Sequence, residues 1–274
     1  MKRSILNKEE LDNLLSRFKS VGKVSSYLSI PYSTVYAWYK KYNIELPPSC
    51  MTIYQELRSV SISNVHRSVI LGSILGDGSL IKQKSSKNAR LQIGHCTKQL
   101  DYLKWKKKLL DPFVKSVPVE AEKPGPKTIV GKKSYSNGYW IMNTIAHPDI
   151  TKYYNKYYYN GKKRVYRDVV EDLDILALSV WLADDGSFTF RKDCKYSIRG
   201  SIATCSFTTD EIGVLMIALR RFYIGNMSLD KYSNTITLSG TDGIVDIIDK
   251  VTKVLPKCIH YKFAPQRLCV RPPN

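Results

Sequence analysis

The sequence predicts an α+β fold in which one αββαββα unit occurs twice in tandem, after a small all-α domain. The repeat is indicated by two apolar segments that end in Asp-Gly-Ser, each followed by the same order of strand-like and helix-like segments. The all-α domain is indicated by short amphipathic segments near the N-terminus. We expect this domain at residues 1–48, a linker at 49–63, the first repeat at 64–160 and the second at 161–274.

The N-terminal segment has the pattern of a helix-turn-helix module. The apolar residues of LNKEELDNLLSRF fall on one helical stripe, and a second short helix is predicted over 23–28. Pro31 cannot continue that helix, and Ser33 is a good N-cap for a third helix over Ser33–Tyr42. In DNA-binding modules of this type the last helix enters the major groove. Any three-helix bundle shares the spacing, so a purely structural role stays open.

The two repeats can be followed element by element. The first helix (HRSVILGSIL, 66–75) leads into Gly76-Asp77-Gly78, and its counterpart (DILALSVWLA, 174–183) leads into Asp184-Asp185-Gly186. Each is followed by a basic stretch, a strand (ARLQIGHC, 89–96; GSIATCSF, 200–207) and a helix that starts at Thr97 or Thr208. Further strand pairs follow (TIVGKK and YWIMNT; NMSLDKY and NTITLSG), and then a closing helix that is clear in GIVDIIDKVTKVL. Because the order recurs with Asp77 and Asp185 108 residues apart, the halves are predicted to be copies of one unit.

Composition indicates a polyanionic partner. The chain has 43 Lys and Arg against 24 Asp and Glu, a net charge of +19 and a pI near 9.6. Nucleic acid and an anionic membrane face both fit this charge. The 19 tyrosines, interleaved with lysines in runs such as TKYYNKYYYNGKKR, favour nucleic acid, because tyrosine stacks on bases and donates to phosphates.

Other classes are disfavoured. No run of about 18 apolar residues is present, so no membrane span is expected. The N-terminus has acidic residues where a signal peptide needs an apolar core, so we expect an intracellular protein that is not secreted. The six cysteines show neither C-x-x-C nor zinc-ligand spacing and are expected to be reduced thiols.

The Asp-Gly motifs carry the chemistry. One occurrence is explained by a turn that ends a helix, but two in equivalent positions are not. Ile70–Gly78 and Leu178–Gly186 align without a gap to the LAGLIDADG consensus. The chain from about residue 64 to 270 resembles the LAGLIDADG homing endonucleases, in particular the monomeric intron-encoded type with both motifs in one chain.

That resemblance implies a pseudo-two-fold pair of units that share a saddle-shaped DNA-binding sheet. The motif helices would pack together through small residues, Gly72 and Gly76 in one copy and Ser179 and Ala183 in the other, with the register left open. Asp77 and Asp185 would lie side by side as catalytic carboxylates. They would bind two or more divalent cations, Mg²⁺, with help from the backbone carbonyls of Gly76 and Asp184.

The resemblance also implies a staggered double-strand break, with 3′ overhangs, in a long asymmetric DNA target. Asp184 stands where the consensus has alanine, and we expect its side chain to point outward or to lie behind the metal ligands. Lysines near each centre would be Lys262 and either Lys162 or Lys163, with Lys163 preferred. His95 and Thr204, on corresponding strands, are candidates for ordering water.

The expected DNA contacts follow the motifs and the N-terminal helix; about half of these residues would otherwise simply face solvent. They are Lys82, Lys84, Lys87 and Arg90 in the first copy, Arg191, Lys192, Lys195 and Arg199 in the second, and Tyr32, Thr34, Tyr36 and Lys40 in the helix-turn-helix.

The leading hypothesis is therefore a site-specific DNA endonuclease that acts as a monomer. One alternative is a maturase that binds intron RNA. Another is a non-cleaving transcription regulator, although regulators of this fold carry their helix-turn-helix after the LAGLIDADG region and have lost the acidic residues. An intein is not expected, because the chain begins with Met and lacks the residues that flank one.

Overall fold

The computed structural model describes residues 6–47, 50–129, 132–191 and 197–263. Two compact units are present, residues 1–59 and 60–274. No helix in the described ranges has both the length and the apolar character that a bilayer crossing requires.

The N-terminal unit contains the three expected helices and one more. They are α1 (Lys8–Phe18), α2 (Val21–Leu28), α3 (Tyr32–Lys41) and α4 (Cys50–Ser59). A capping box between Asn7 and Glu10 starts α1. Tyr39 is buried in the core of this unit, where its hydroxyl donates to the Leu11 carbonyl at 3.0 Å.

Two local expectations in this unit are wrong. Helix α3 begins one residue earlier than predicted, with Pro31 as its N-cap and no side-chain cap, so Ser33 is not the capping residue. Proline suits this position, because the start of a helix needs no donor from it. The segment expected to be a linker contains α4 over Cys50–Ser59, whose sequence has no helix-breaking residue.

The second unit contains αββαββα twice, as predicted. The first half consists of α5 (Asn64–Leu75), β1 (Ser79–Ile81), β2 (Arg90–Cys96), α6 (Leu100–Leu109), β3 (Val119–Ile129), β4 (Lys132–Asn143) and α7 (Pro148–Tyr157). A short connection follows, with β5 (Tyr158–Tyr159), β6 (Lys162–Lys163) and α8 (Val169–Asp172). The second half consists of α9 (Ile175–Asp185), β7 (Gly186–Arg191), β8 (Ser197–Ala203), α10 (Thr209–Leu219), β9 (Asn226–Asp230), β10 (Thr235–Ser239) and α11 (Thr241–Thr252), before a 3-10 helix over Lys257–Lys262.

Each half forms its own four-stranded antiparallel sheet, and the strand orders match. They are β1-β2-β4-β3 and β7-β8-β10-β9. Two strand predictions differ in detail. TIVGKK spans the end of β3 and the start of β4, with residues 130–131 outside the described chain, and β8 ends at Ala203 rather than continuing through residue 207. The matching orders confirm that the chain contains two copies of one unit.

The helices α5 and α9 pack against each other along the middle of this unit, and glycine makes their approach possible. A Cβ atom on Gly72 would lie 2.4 Å from the Ala177 carbonyl oxygen and 2.7 Å from Val180 Cβ. One on Gly76 would lie 2.5 Å from Asp184 Cβ. The small residues predicted in the first helix are therefore the ones at the contact. In the second helix, the atoms nearest these glycines belong to Ala177, Val180 and Asp184 rather than to Ser179 and Ala183.

This contact yields a stability prediction. Gly72→Ala should lower the free energy of unfolding by about 1–3 kcal/mol, because the new methyl group meets a backbone oxygen that cannot move aside. Urea titration monitored by circular dichroism measures the change. The matched control is Gly213→Ala in α10, where a Cβ meets nothing within 4 Å and stability should stay level or rise. Equal stability of the two variants would contradict the close contact.

Candidate active site and nucleic-acid interface

The aspartates of the two motifs meet where α5 and α9 end. Asp77 follows the end of α5, and its backbone N–H lies 3.3 Å from Asp184 Oδ2 on the other motif helix. The Asp77 side chain is 41% exposed, so its carboxylate is open to a ligand. Asp185 is the last residue of α9 and is half-buried. The packing of the two helices thus brings two aspartates that are distant in sequence into one acidic site.

A lysine lies at each motif, and both lysines contact backbone carbonyls. Lys163, on β6, donates to the Gly76 carbonyl oxygen at 2.8 Å. Lys262, at the end of the 3-10 helix, donates to the Ala183 and Asp184 carbonyl oxygens at 2.5 and 2.8 Å. In the register of the β5–β6 hairpin, Lys163 pairs with Tyr158 and its exposed neighbour Lys162 pairs with Tyr159. The alternation of strand side chains therefore directs Lys163, not Lys162, to the motif.

Of the two places expected for the Asp184 side chain, the outward one is wrong, because the side chain points inward. Its carboxylate is fully buried, and Lys106 Nζ lies 2.7 and 2.8 Å from its two oxygens. Tyr102 also donates to it at 3.1 Å. Two points of physical chemistry account for this. Gly76 leaves room for the Asp184 side chain, and a buried carboxylate persists only where a cation and hydrogen bonds offset its lost hydration.

Sequence reasoning missed Lys106 and Tyr102 and singled out His95 only as one candidate. Lys106 is fully buried within the KWKKKLL run of α6. It shares a helical face with Tyr102 and Leu110, both buried. A lysine on the apolar stripe of a helix, together with an extra acid in the motif, was the available signal.

The two motif aspartates have opposite pKa shifts. Burial opposes ionisation of Asp77, but the interaction with His95 and the charges of Lys106 and Lys262 lower its pKa below the ordinary value. Burial, together with the nearby carboxylates of Asp77 and Asp184, raises the pKa of Asp185 to about 7. The two carboxyl groups therefore ionise in different pH ranges.

The lysines show the opposite response to the same surroundings. Burial lowers the pKa of Lys163 and of Lys262, and the three nearby aspartates only partly counter it. Both ammonium groups thus lie in a partly dehydrated place, where their charge acts at short range.

The donor set fits a hard divalent cation. Asp77, His95 and Asp184 place ligand atoms within 4.8 Å of one another. However, both oxygens of the Asp184 carboxylate already contact Lys106, so that carboxylate is a poor ligand. The oxygens that suit such a cation are those of the Asp77 and Asp185 carboxylates. The carbonyl oxygens of Gly76 and Asp184 each accept from a lysine, so each would bind a cation only through its second lone pair.

A row of polar side chains crosses the second sheet next to Asp185. Ser187, two residues after the aspartate, pairs with Ser201, which pairs with Thr237, which pairs with Ser228. In the first sheet Ser79 likewise pairs with Gln92 and Gln92 with Asn143. Hydroxyl and amide groups aligned across strands are the groups that bind nucleic-acid backbones and base edges.

The predicted DNA contacts fall into three groups. Lys82, Lys84 and Lys87 are exposed in the loop between β1 and β2, and Arg199 is exposed on β8. Arg90 is half-buried at the start of β2, and Arg191 ends β7. Lys192 and Lys195 lie outside the described residues.

The N-terminal unit presents its own aromatic row. On α3, Tyr32 stacks on Tyr36 with ring centroids 5.9 Å apart, and Lys40 Nζ lies 5.7 Å from the Tyr36 centroid. Thr34 is also exposed, whereas Val35, Trp38 and Tyr39 face the core. Thr204, the other water-ordering candidate, donates its hydroxyl to the Asn234 carbonyl instead.

The raised pKa of Asp185 predicts that its ionised carboxylate destabilises the folded protein. A carboxyl with a higher pKa in the folded state destabilises that state as pH rises from about 4 to 7, because ionisation becomes harder on folding. Asp185→Asn should therefore add about 1–3 kcal/mol to the free energy of unfolding at pH 7.5 in EDTA and little at pH 4.5. Urea titration at both values measures this. Asp246→Asn, at an exposed ion pair with Lys250, is the control and should change stability only slightly at either pH. A gain from Asp185→Asn that is the same at both pH values would refute the burial argument.

Comparison with known proteins places this geometry in a family. Residues 67–242 match the family model described as the LAGLIDADG DNA endonuclease family. The solved structure of the homing endonuclease I-WcaI bound to its DNA recognition sequence has a similar fold, with a TM-score of 0.67 and 23% identity. The similarity covers 82% of this chain and 97% of that chain.

Curated relatives are similar over shorter stretches. Protein RecA of Mycolicibacterium flavescens is 31% identical over 132 residues, which is 47% of this chain and 28% of that protein. The cytochrome b mRNA maturase bI2 of Debaryomyces hansenii is 26% identical over 151 residues, 55% of this chain and 54% of that protein. The chain thus spans about a quarter of the first relative and half of the second. Because the family model covers more than half of the chain and both motif helices, the protein belongs to the LAGLIDADG DNA endonuclease family.

Proposed function

We propose that the protein is a site-specific endonuclease that makes a staggered double-strand break in a long DNA target. The observation that carries this proposal is the meeting of Asp77 and Asp185 at the ends of two packed helices, with a lysine at the carbonyl beside each. A paired carboxylate site with flanking cations suits the hydrolysis of phosphodiesters. The I-WcaI structure, which shares the fold, is described as bound to its DNA recognition sequence.

Mg²⁺ is the cofactor that we propose, with two or more ions per site. Asp77 and Asp185 would hold them, assisted by the carbonyl oxygens of Gly76 and Asp184. Bound there, the ions would supply the activation of water and the stabilisation of the leaving 3′ oxygen. Each motif aspartate would serve one strand.

The protein's own residues prepare the site for a phosphate. Lys163 and Lys262 hold the carbonyls of Gly76 and Asp184 in fixed orientations through their hydrogen bonds. Their partly dehydrated ammonium groups would also offset the charge of the incoming phosphates. The two roles are compatible, because an ammonium group has three donors.

DNA recognition would use both units. The polar rows of the sheets and the exposed basic residues Lys82, Lys84, Lys87 and Arg199 would contact bases and phosphates, joined by Arg90, Arg191, Lys192 and Lys195. Tyr32, Thr34, Tyr36 and Lys40 of α3 would extend the contact to an adjacent groove. Since one chain supplies both carboxylates, we propose that the active form is a monomer. Because its target would be DNA, we propose that the protein acts inside the cell.

RNA maturation is the second candidate. It is favoured by the similarity to proteins described as cytochrome b mRNA maturases. An in vitro splicing assay with a host intron separates the two activities, and one protein can carry both. The non-cleaving regulator has less support, because the acidic residue is present at both motif positions.

Removal of either carboxylate tests the nuclease. Asp77→Asn or Asp185→Asn should reduce double-strand cleavage in Mg²⁺ by about a thousandfold, because the charge that holds the cofactor is lost. Binding to the same duplex in Ca²⁺ should change by less than about threefold, since phosphate contacts dominate affinity. The substrate is a duplex selected for cleavage from a randomised library. Full cleavage by either variant would show that its carboxylate has been misassigned.

The N-terminal unit has a separate test. Deletion of residues 1–59 should weaken binding by about a hundredfold and shorten the protected footprint, because a linked second module raises the effective concentration. In the full-length chain, Tyr32→Ala/Tyr36→Ala should reproduce part of this loss. The buried Val35 of the same helix is not substituted, so that the core of the unit is preserved. If both proteins keep the wild-type footprint and affinity, the unit does not contact DNA.

A further inference from the structure

A buried chain of polar contacts connects one motif to the other through the interior of the first half. Lys106 on α6 contacts both carboxylate oxygens of Asp184, at 2.7 and 2.8 Å, and its Nζ lies 3.2 Å from His95 Nε2. On the other side of the ring, His95 Nδ1 lies 3.3 Å from Asp77 Oδ2. The side chains of His95, Lys106 and Asp184 are each at most 1% exposed. The chain therefore runs from Asp184 through Lys106 and His95 to the open carboxylate of Asp77.

The contacts of Lys106 determine which nitrogen of His95 carries its hydrogen. An ammonium group offers only donors, so Nε2 must accept from it. The ring hydrogen then lies on Nδ1, which faces Asp77. Nδ1 is buried and has no partner with full hydrogen-bond geometry among the described residues, so Asp77 Oδ2 is its nearest acceptor. Lys106 thus orients His95 toward the motif carboxylate.

The second half has no such chain in its described residues. The strand pairings of Ser79 with Gln92 and of Ser187 with Ser201 align the two halves, and this places Thr204 at the position of His95. Thr204 donates to the Asn234 carbonyl rather than toward Asp185. The same offset places the buried Leu215 at the position of Lys106. No described residue donates a hydrogen bond to the Asp185 carboxylate.

The equivalent helix position of the second half holds a buried apolar side chain. Leu215 shows that a buried aliphatic side chain suits the helix position, and replacing a buried ion pair by apolar groups is often neutral for stability. Lys106 offsets the charge of the buried Asp184, and this role by itself does not require a contact with His95. Through that contact the ion pair is connected to one of the two motif carboxylates, Asp77.

We propose that Lys106, with Asp184, is a positioning residue that acts through His95 on Asp77, so that the two strand-cleaving centres are inequivalent. Asp77 faces an oriented ring, whereas the Asp185 carboxylate accepts no hydrogen bond from a described side chain. Loss of Lys106 should then impair the strand that Asp77 cleaves and largely spare the other. The inference rests on the proposed nuclease activity.

Strand-resolved kinetics test this proposal. The substrate is the selected duplex, labelled on each strand in turn, with Mg²⁺ and the full-length protein. The strand cleaved by Asp77 is the one that Asp77→Asn fails to cut. Lys106→Met should slow that strand by about tenfold to about a hundredfold, as for residues that orient metal-site groups, and the other by less than about threefold. Nicked circles should accumulate from a supercoiled plasmid. Lys104→Met, on the exposed face of the same helix, is the control and should leave the strand ratio unchanged.

A second set of variants separates positioning from folding. Lys106→Met leaves a buried unpaired carboxylate, so Lys106→Met/Asp184→Leu should regain thermal stability. If the role is positioning, this double variant keeps the strand-selective defect. In a His95→Ala background, adding Lys106→Met should give no further selectivity, because the two act in one chain.

The outcomes distinguish two kinds of failure. Equal slowing of both strands by the folded double variant, or recovery of the wild-type strand ratio, would overturn the role of Lys106. A wild-type protein that cleaves neither strand of any selected duplex would instead contradict the proposed nuclease.

Discussion

The close approach of α5 and α9 is the constraint on which the rest of the molecule depends. These helices are apolar on nearly every side, so they stabilise the protein only when each is buried against the other and its own sheet. Gly72 and Gly76 remove the side chains that would hold the axes apart. Because the helices end together, their approach also brings Asp77 and Asp185 into one site. Core packing and the assembly of the site are therefore one requirement.

The same contact makes the pseudo-symmetric site unequal. Gly76 and Asp184 occupy the same motif position in the two repeats, and they meet each other between the helices. Two side chains do not fit at that meeting point, so one copy has glycine there and the other has room for a carboxylate. The buried Asp184 carboxylate accepts hydrogen bonds from Lys106 and Tyr102. Lys106 also contacts His95, whose other ring nitrogen faces Asp77. The replacement of the consensus alanine by Asp184 is thus accompanied by polar contacts on α6 and β2.

Local rules account for what could be read from the chain. The repeat, the motif helices and the helix start at Thr208 each depend on residues close in sequence, and all are present in the structure. The end of β8, which differs from the prediction, is set by pairing with β10, a strand distant in sequence. Helix α4 was not expected, because two prolines and a serine suggested a linker, although Cys50, Ile53, Tyr54 and Leu57 recur at helical spacing in the residues after them.

The sequence by itself determined the two-copy architecture, the pair of motif aspartates and the basic, tyrosine-rich character of the chain. Spacing and composition carry that information without any knowledge of distant contacts. Only the tertiary structure decided that Lys163 rather than Lys162 contacts the first motif, that Asp184 turns inward, and that Lys106 is buried beside it. These points depend on which residues meet across a helix interface or a hairpin. Such meetings follow from packing, because a buried charge is stable only where its partner already lies within reach.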